Sequence, residues 1–179
     1  MPLRTFPVAG GARFSNDWSE ARPGGREHRG NDLFAEEGTP LVAVDDGVVR
    51  FGTDPLGGNV AYLRGTDDTS YYYAHLVSFA GQNRSVRAGE TIGYLGRTGN
   101  AANTPPHVHF EVHPGGGAAV NPFDMLMRAP QVGRGASRSP VLPLLLVGAL
   151  GLGAWALVRP EAAQRLWARL PSLTRLRFT

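Results

Sequence analysis

The sequence predicts a mainly β chain: an antiparallel β-sheet domain followed by one C-terminal transmembrane helix. Three observations carry this expectation. The first 128 residues alternate short runs of strand formers with turn residues, and none of them shows a convincing helical period. Glycine and proline number 24 and 14 of 179 residues, which suits a turn-rich body. The composition then changes sharply near residue 130, and a long uncharged run follows.

The elements follow in order. Residues 32–35 read as a strand entered from a loop, since Gly24, Gly25 and Gly30 argue against a helix there. Residues 41–44 and 47–51 are strands flanking Asp45 and Asp46, and 59–63 leads into a turn at 65–68. Residues 70–76 are rich in aromatic strand formers, and 90–95 and 107–113 complete the set. Short hairpins in an antiparallel sheet are the natural way to bury such runs. Residues 1–128 form this domain, and 129–140 read as a linker. Residues 141–158 carry no charge over 18 positions. As a helix they would be about 27 Å long, against a hydrocarbon core of about 30 Å. Pro143 falls in the tolerated first turn, Trp155 lies near the far interface, and Arg138 and Arg159 bracket the run. This segment is read as a span, which makes the lipid bilayer a partner. Residues 159–179 hold five arginines against Glu161, with Leu166, Trp167, Leu170 and Leu173 near helical spacing. They read as a basic amphipathic tail on an anionic leaflet.

Composition excludes several functions. Hydrophobic content is 42% and charged content 18%, so the chain is not disordered by composition. All 18 basic residues are Arg, which rules out Schiff-base chemistry and lipoyl or biotinyl carriage. The net charge is +3, the arginines are scattered and no nucleic-acid motif accompanies them, so nucleic acid is not expected as a partner. The absence of cysteine removes disulfides, thiolate-bound zinc and thiol catalysis. Residues 1–7 contain no apolar run of the secretory type. Oligomeric state is not legible.

Four of the five histidines and one aspartate fall into a metal-site pattern: His28 with Asp32, then His75, then His107 with His109. Imidazole nitrogen and carboxylate oxygen suit zinc where no thiolate is available. Three protein ligands with one open position mark a catalytic zinc, and this set leaves two histidines for proton transfer. In the strand 107–113, His107, His109, Glu111 and His113 alternate with Val108, Phe110 and Val112. One face therefore packs inward, and His107 and His109 stand about 7 Å apart on the other. A His-x-His pair alone is a weak signal, as is a surface His four residues from an Asp. The three elements together are far more specific. Glu111 reads as a structural or solvated carboxylate or as one that orients a ligand imidazole, and His113 reads as a strand-end surface residue. Tyr71 and Tyr73, counted on the face of His75, are candidates for lining a groove or for plain aromatic packing.

The stretches 25–35 with 38–40, 73–76, 86–96 with 98–101, and 106–112 carry a resemblance. Over roughly residues 12–128 the chain resembles the lysostaphin-like zinc metallopeptidases, the peptidoglycan endopeptidases with a LytM-type domain. The resemblance implies that His28, Asp32 and His109 hold Zn2+ and that His75 and His107 are catalytic non-ligands. The place of His107 beside His109 on the strand favours it as the base with His75 as partner, and the reverse assignment stays open. It implies a largely antiparallel β domain of the duplicated hybrid motif type, with its site in a groove across the sheet. The expected activity is hydrolysis of peptide bonds in peptidoglycan cross-links or stem peptides. A non-catalytic cell-wall-binding or hydrolase-activating module is the alternative; relatives of that kind usually lose ligands, whereas all five positions are filled here. The expected localisation is a single-pass membrane protein with its catalytic domain outside the cytoplasm, from the arginine bias around the span; a tail-anchored protein with a cytoplasmic enzyme is the alternative, since no N-terminal secretory signal is visible.

Overall fold

The structure is a computed structural model and describes residues 2–133. The expected span at 141–158, the tail at 159–179 and the expected linker beyond 133 lie outside the described residues. Among the described residues, no helix is long and apolar enough to cross a membrane.

Eleven strands are described, in three antiparallel sheets. β1 (Ala21–Arg22) and β2 (Arg26–Glu27) form a small hairpin. The remaining strands are β3 (Asn31–Phe34), β4 (Pro40–Val42), β5 (Gly47–Asp54), β6 (Gly58–Gly65), β7 (Ser70–Leu76), β8 (Ser78–Phe79), β9 (Arg84–Val86), β10 (Thr91–Tyr94) and β11 (His107–His113). The main sheet has the order β3-β11-β7-β6-β5-β9, and a three-stranded sheet has the order β4-β10-β8. The antiparallel expectation holds. One short helix, α1 (Phe123–Arg128), adds to it. At six residues it is too short for a period to register in the sequence.

Alternation along the strands builds the core. Val108, Phe110 and Val112 of β11 point inward with Leu33 of β3, Ala61 and Leu63 of β6, and Tyr71 and Tyr73 of β7. Leu41, Ile92 and Leu95 join the same cluster. Each such aliphatic or aromatic side chain stabilises the fold by about 1.5–3 kcal/mol on burial. Tyr73 is buried with its hydroxyl satisfied: the hydroxyl donates to the Val42 carbonyl at 3.1 Å and accepts from the Val44 amide at 3.1 Å. It thereby ties the main sheet to the chain of β4. The N-terminal segment closes the core. Phe6 and Val8 are buried, Val8 bridges to Leu41, and the Phe6 and Gly10 amides donate to the carbonyls of Pro130 and Val132. Residues 130 and 132, which the sequence reads as linker, are thus bonded to the chain's first strand-like segment.

Candidate metal centre

The central position of β11 assembles the site. In the register, His109 lies opposite Asp32 of β3 on one side and Ala74 of β7 on the other. Directly opposed residues bring their Cβ atoms to roughly 5 Å, so β11 and β3 deliver an imidazole and a carboxylate to one point. His28 arrives from the loop just before β3. That loop must pass beneath His109, and Gly30 permits it. A Cβ at Gly30 would press into the Phe110 carbonyl and the His109 ring. The glycine in the His-x-x-x-Asp stretch is therefore a packing requirement of the site.

Three of the expected residues converge as an ion requires. His28 Nε2 lies 3.1 Å from Asp32 Oδ1, His109 Nδ1 lies 3.0 Å from the same oxygen, and the two nitrogens are 2.8 Å apart. They are the metal-capable cluster among the described residues. A tetrahedral zinc with Zn–N near 2.0–2.1 Å sets its ligand atoms about 3.3 Å apart, so the donor set and its spacing fit that ion. The far side of each ligand imidazole is also held. His28 Nδ1–H donates to the Asp17 carbonyl at 2.8 Å, and His109 Nε2–H donates to Glu111 Oε1 at 2.8 Å. With the imidazoles neutral, as in the metal-bound form, these bonds leave the inner nitrogens free of hydrogen, the tautomers a metal needs. Arg22 Nη2 also approaches His28 Nδ1 at 2.7 Å, but its carboxylate partner is Asp32 Oδ2 at 2.9 Å. An acceptor at Nδ1, such as the Asp17 carbonyl, is what a metal-binding Nε2 requires, and the donor Arg22 is not one.

His75 and His107 flank this cluster. Their ring centroids are 4.9 Å apart, and His107 Nε2 is 4.0 Å from Asp32 Oδ1. His107 Nδ1–H donates to the Pro105 carbonyl and His75 Nδ1–H to the Thr98 carbonyl, each at 2.9 Å. Both Nε2 atoms are then acceptors. All five residues line one cavity of about 930 Å³.

Electrostatics separate the groups. Burial pushes Asp32 up, but hydrogen bonds from His109 and His28 and their charges outweigh it and hold the carboxyl well below the usual range. Burial pushes His109 down, while its bonds to Asp32 and Glu111 win and push it up to about 9. Burial and the neighbouring His107 push His75 down to about 4, so it is neutral at working pH.

One expectation is corrected: Tyr71 and Tyr73 do not share the face of His75. Both are core residues, as the packing alternative has it, though Tyr71 also lines the cavity, and Tyr73 packs edge-on against Phe110 with centroids 5.1 Å apart. The cause is a β-bulge. Asn59 pairs with Leu76 and Ala61 with Tyr73, so Ala74 and His75 together oppose Val60. His75 takes φ +68°, a left-handed conformation costing about 1–3 kcal/mol in a non-glycine residue. The extra residue re-aims His75 onto the face of Tyr72, and no strand alternation reveals that. His113 ends β11 partly exposed, and its Nε2–H donates to Glu111 Oε2 at 2.6 Å. Glu111, which the sequence left between a structural or solvated carboxylate and one that orients an imidazole, bonds His109. Tyr72 and Asp54, which line the cavity, went unnoticed in the sequence.

Comparison with known proteins accords with this geometry. Residues 26–122 match the model of peptidase family M23. The DD-carboxypeptidase/endopeptidase Mpg of Neisseria meningitidis is 38% identical over 108 residues, covering 60% of this chain and 24% of that protein. The chain thus spans about a quarter of the length of that curated relative. Among solved structures, the catalytic domain of the antimicrobial peptidase lysostaphin from Staphylococcus simulans aligns with a TM-score of 0.57 at 29% identity, covering 65% of this chain and 92% of that one. A zinc containing peptidase from Vibrio cholerae aligns with a TM-score of 0.58 at 26% identity, covering 67% of this chain and 39% of that one.

Proposed function

The chain belongs to peptidase family M23, and from that premise we propose that it is a zinc-dependent endopeptidase that hydrolyses peptide bonds in peptidoglycan cross-links or stem peptides. The observation that supports this reading is the convergence of His28, Asp32 and His109 within 3.1 Å of one another, in a cavity that also receives the acceptor nitrogens of His75 and His107.

In this reading His28 Nε2, Asp32 Oδ1 and His109 Nδ1 hold the metal. Bound there, zinc supplies a Lewis acid that polarises a carbonyl and lowers the pKa of water to about 7. His107 Nε2 takes a proton from the attacking water and gives it to the leaving amine as the carbon–nitrogen bond breaks. The Pro105 carbonyl keeps His107 in the tautomer this requires. His75 Nε2, neutral and 4.9 Å away ring to ring, orients the same water or amine by accepting its hydrogen. Glu111 holds His109 in its ligating tautomer. Residues 141–158 anchor the enzyme as a single pass, with the zinc domain outside the cytoplasm where its substrate lies.

The test is digestion of purified peptidoglycan by the full chain with added zinc, the products identified by mass spectrometry. Soluble muropeptides with newly exposed amines and carboxylates are expected. No release at full zinc occupancy would overturn the reading.

A further inference from the structure

Asp54 ends β5 at the edge of the cavity, yet both of its oxygens are used within the protein. Oδ1 accepts from the Leu56 and Gly57 amides at 2.9 and 2.5 Å, closing the turn over residues 54–57. Oδ2 accepts from the Tyr72 hydroxyl at 2.7 Å. Burial pushes this carboxyl up, but the bonds from Gly57, Tyr72 and Leu56 hold it below its ordinary range, so it is ionised.

The turn leads directly to His75. The Gly57 carbonyl accepts from the His75 amide at 2.7 Å, while on the other flank the Thr98 carbonyl accepts from His75 Nδ1–H. The Asn100 amide donates to the Leu56 carbonyl at 2.9 Å, tying the two flanks together. The packing leaves no slack. A Cβ at Gly57 would collide with the Tyr72 hydroxyl. Tyr72 in turn sets its ring edge-on to His109, with centroids 6.2 Å apart at 71°. His75 sits in a left-handed conformation that the chain does not adopt unaided, so it depends on bonds of this kind.

We propose that Asp54 is a positioning residue: it organises the turn over residues 54–57 and the Tyr72 ring, and so holds His75 at its angle to the metal ligands. The proposal rests on the reading of His75 as a proton-handling group. In this proposal Asp54 acts through the Gly57 carbonyl and the Tyr72 ring rather than on the substrate itself.

The experiment compares the full zinc-loaded chain with its Asp54→Ala, Asp54→Ser, Asp54→Asn and His75→Ala variants on a soluble cross-linked muropeptide. Zinc content and hydrogen exchange of the His75 amide are measured alongside. Misplacing a catalytic group by about 1 Å costs up to roughly 10²-fold. Asp54→Ala is expected to lose tenfold or more in kcat with KM within about twofold, to keep its zinc, and to exchange the His75 amide faster. Asp54→Ser keeps a turn-forming oxygen, covers the case in which Asp54→Ala does not fold, and is expected to fall in the same direction. Asp54→Asn keeps an acceptor for both turn amides and is expected to recover most of kcat. Wild-type turnover in Asp54→Ala or Asp54→Ser alongside an inactive His75→Ala would overturn this proposal alone. So would a rise in KM at constant kcat, which would make Asp54 a substrate contact, or an Asp54→Asn as impaired as Asp54→Ala. A fully active His75→Ala would instead overturn the reading of His75, and this proposal with it.

Discussion

Two imidazole nitrogens 2.8 Å apart cannot face each other with lone pairs alone, so without metal a hydrogen sits between His28 Nε2 and His109 Nδ1. Burial works against that proton, but Asp32 and Glu111 secure it and push His109 up to about 9. Zinc must displace it. Between about pH 6.5 and 9 each bound zinc is expected to release about one proton. Calorimetric titrations in buffers of different ionisation enthalpy measure this, and zinc uptake with no buffer dependence would refute it. The sign for stability follows from the same shift. A histidine raised above its unfolded value stabilises the metal-free fold below about pH 6.5 and loses that contribution as pH rises through about 9. Chelated protein should therefore melt higher at pH 6 than at pH 9.5, as far as His109 governs it. A second prediction separates ligands from proton handlers. His75→Ala and His107→Ala should keep zinc yet lose roughly 10²-fold or more in kcat, whereas His109→Ala should lose the metal; metal analysis beside turnover distinguishes them. At this scale the sequence was informative. The convergence of His28, Asp32 and His109 was legible from spacing joined to a family resemblance, because a metal restricts its donors to few residue types. Tyr72 was not, because a single bulge residue reverses which tyrosines face the site.

Strands carry the legible part of the fold, because period-two alternation is written locally. β11 shows it best: Val108, Phe110 and Val112 are buried while His109, Glu111 and His113 stay partly open. Pairing is not local, and here the sequence was silent. Nothing in residues 3–9 marks Phe6 and Val8 as core, because their partners lie at Leu41 and Pro130. The loop into β3 is where element geometry and chemistry meet. Gly30→Ala should push the loop off the Phe110 carbonyl and the His109 ring. The expected outcome is a zinc affinity at least about tenfold weaker, the scale seen when the supports of a metal ligand are disturbed, with strand content unchanged. Competition against a chromophoric chelator, together with circular dichroism, tests it. Wild-type affinity in that variant would show that the loop has room the packing denies.

Across the whole chain, the expected membrane orientation follows from charge. The 18 arginines and 15 acids nearly balance, so orientation rests on where the arginines fall relative to residues 141–158. The tail at 159–179 holds Arg159, Arg165, Arg169, Arg175 and Arg177, against Arg128, Arg134 and Arg138 on the preceding flank. Positive charge near the ends of a span is retained on the cytoplasmic side, and acids count for little in this bias. The larger arginine cluster is C-terminal. The expected topology therefore has the C-terminus in the cytoplasm and the zinc domain outside. Protease added to intact spheroplasts should digest the domain while a C-terminal epitope stays protected. Replacing Arg165, Arg169, Arg175 and Arg177 with Gln should weaken that orientation, because the flank would then hold three arginines against one. A domain that survives until the membrane is permeabilised would reverse the topology and separate the enzyme from its proposed substrate.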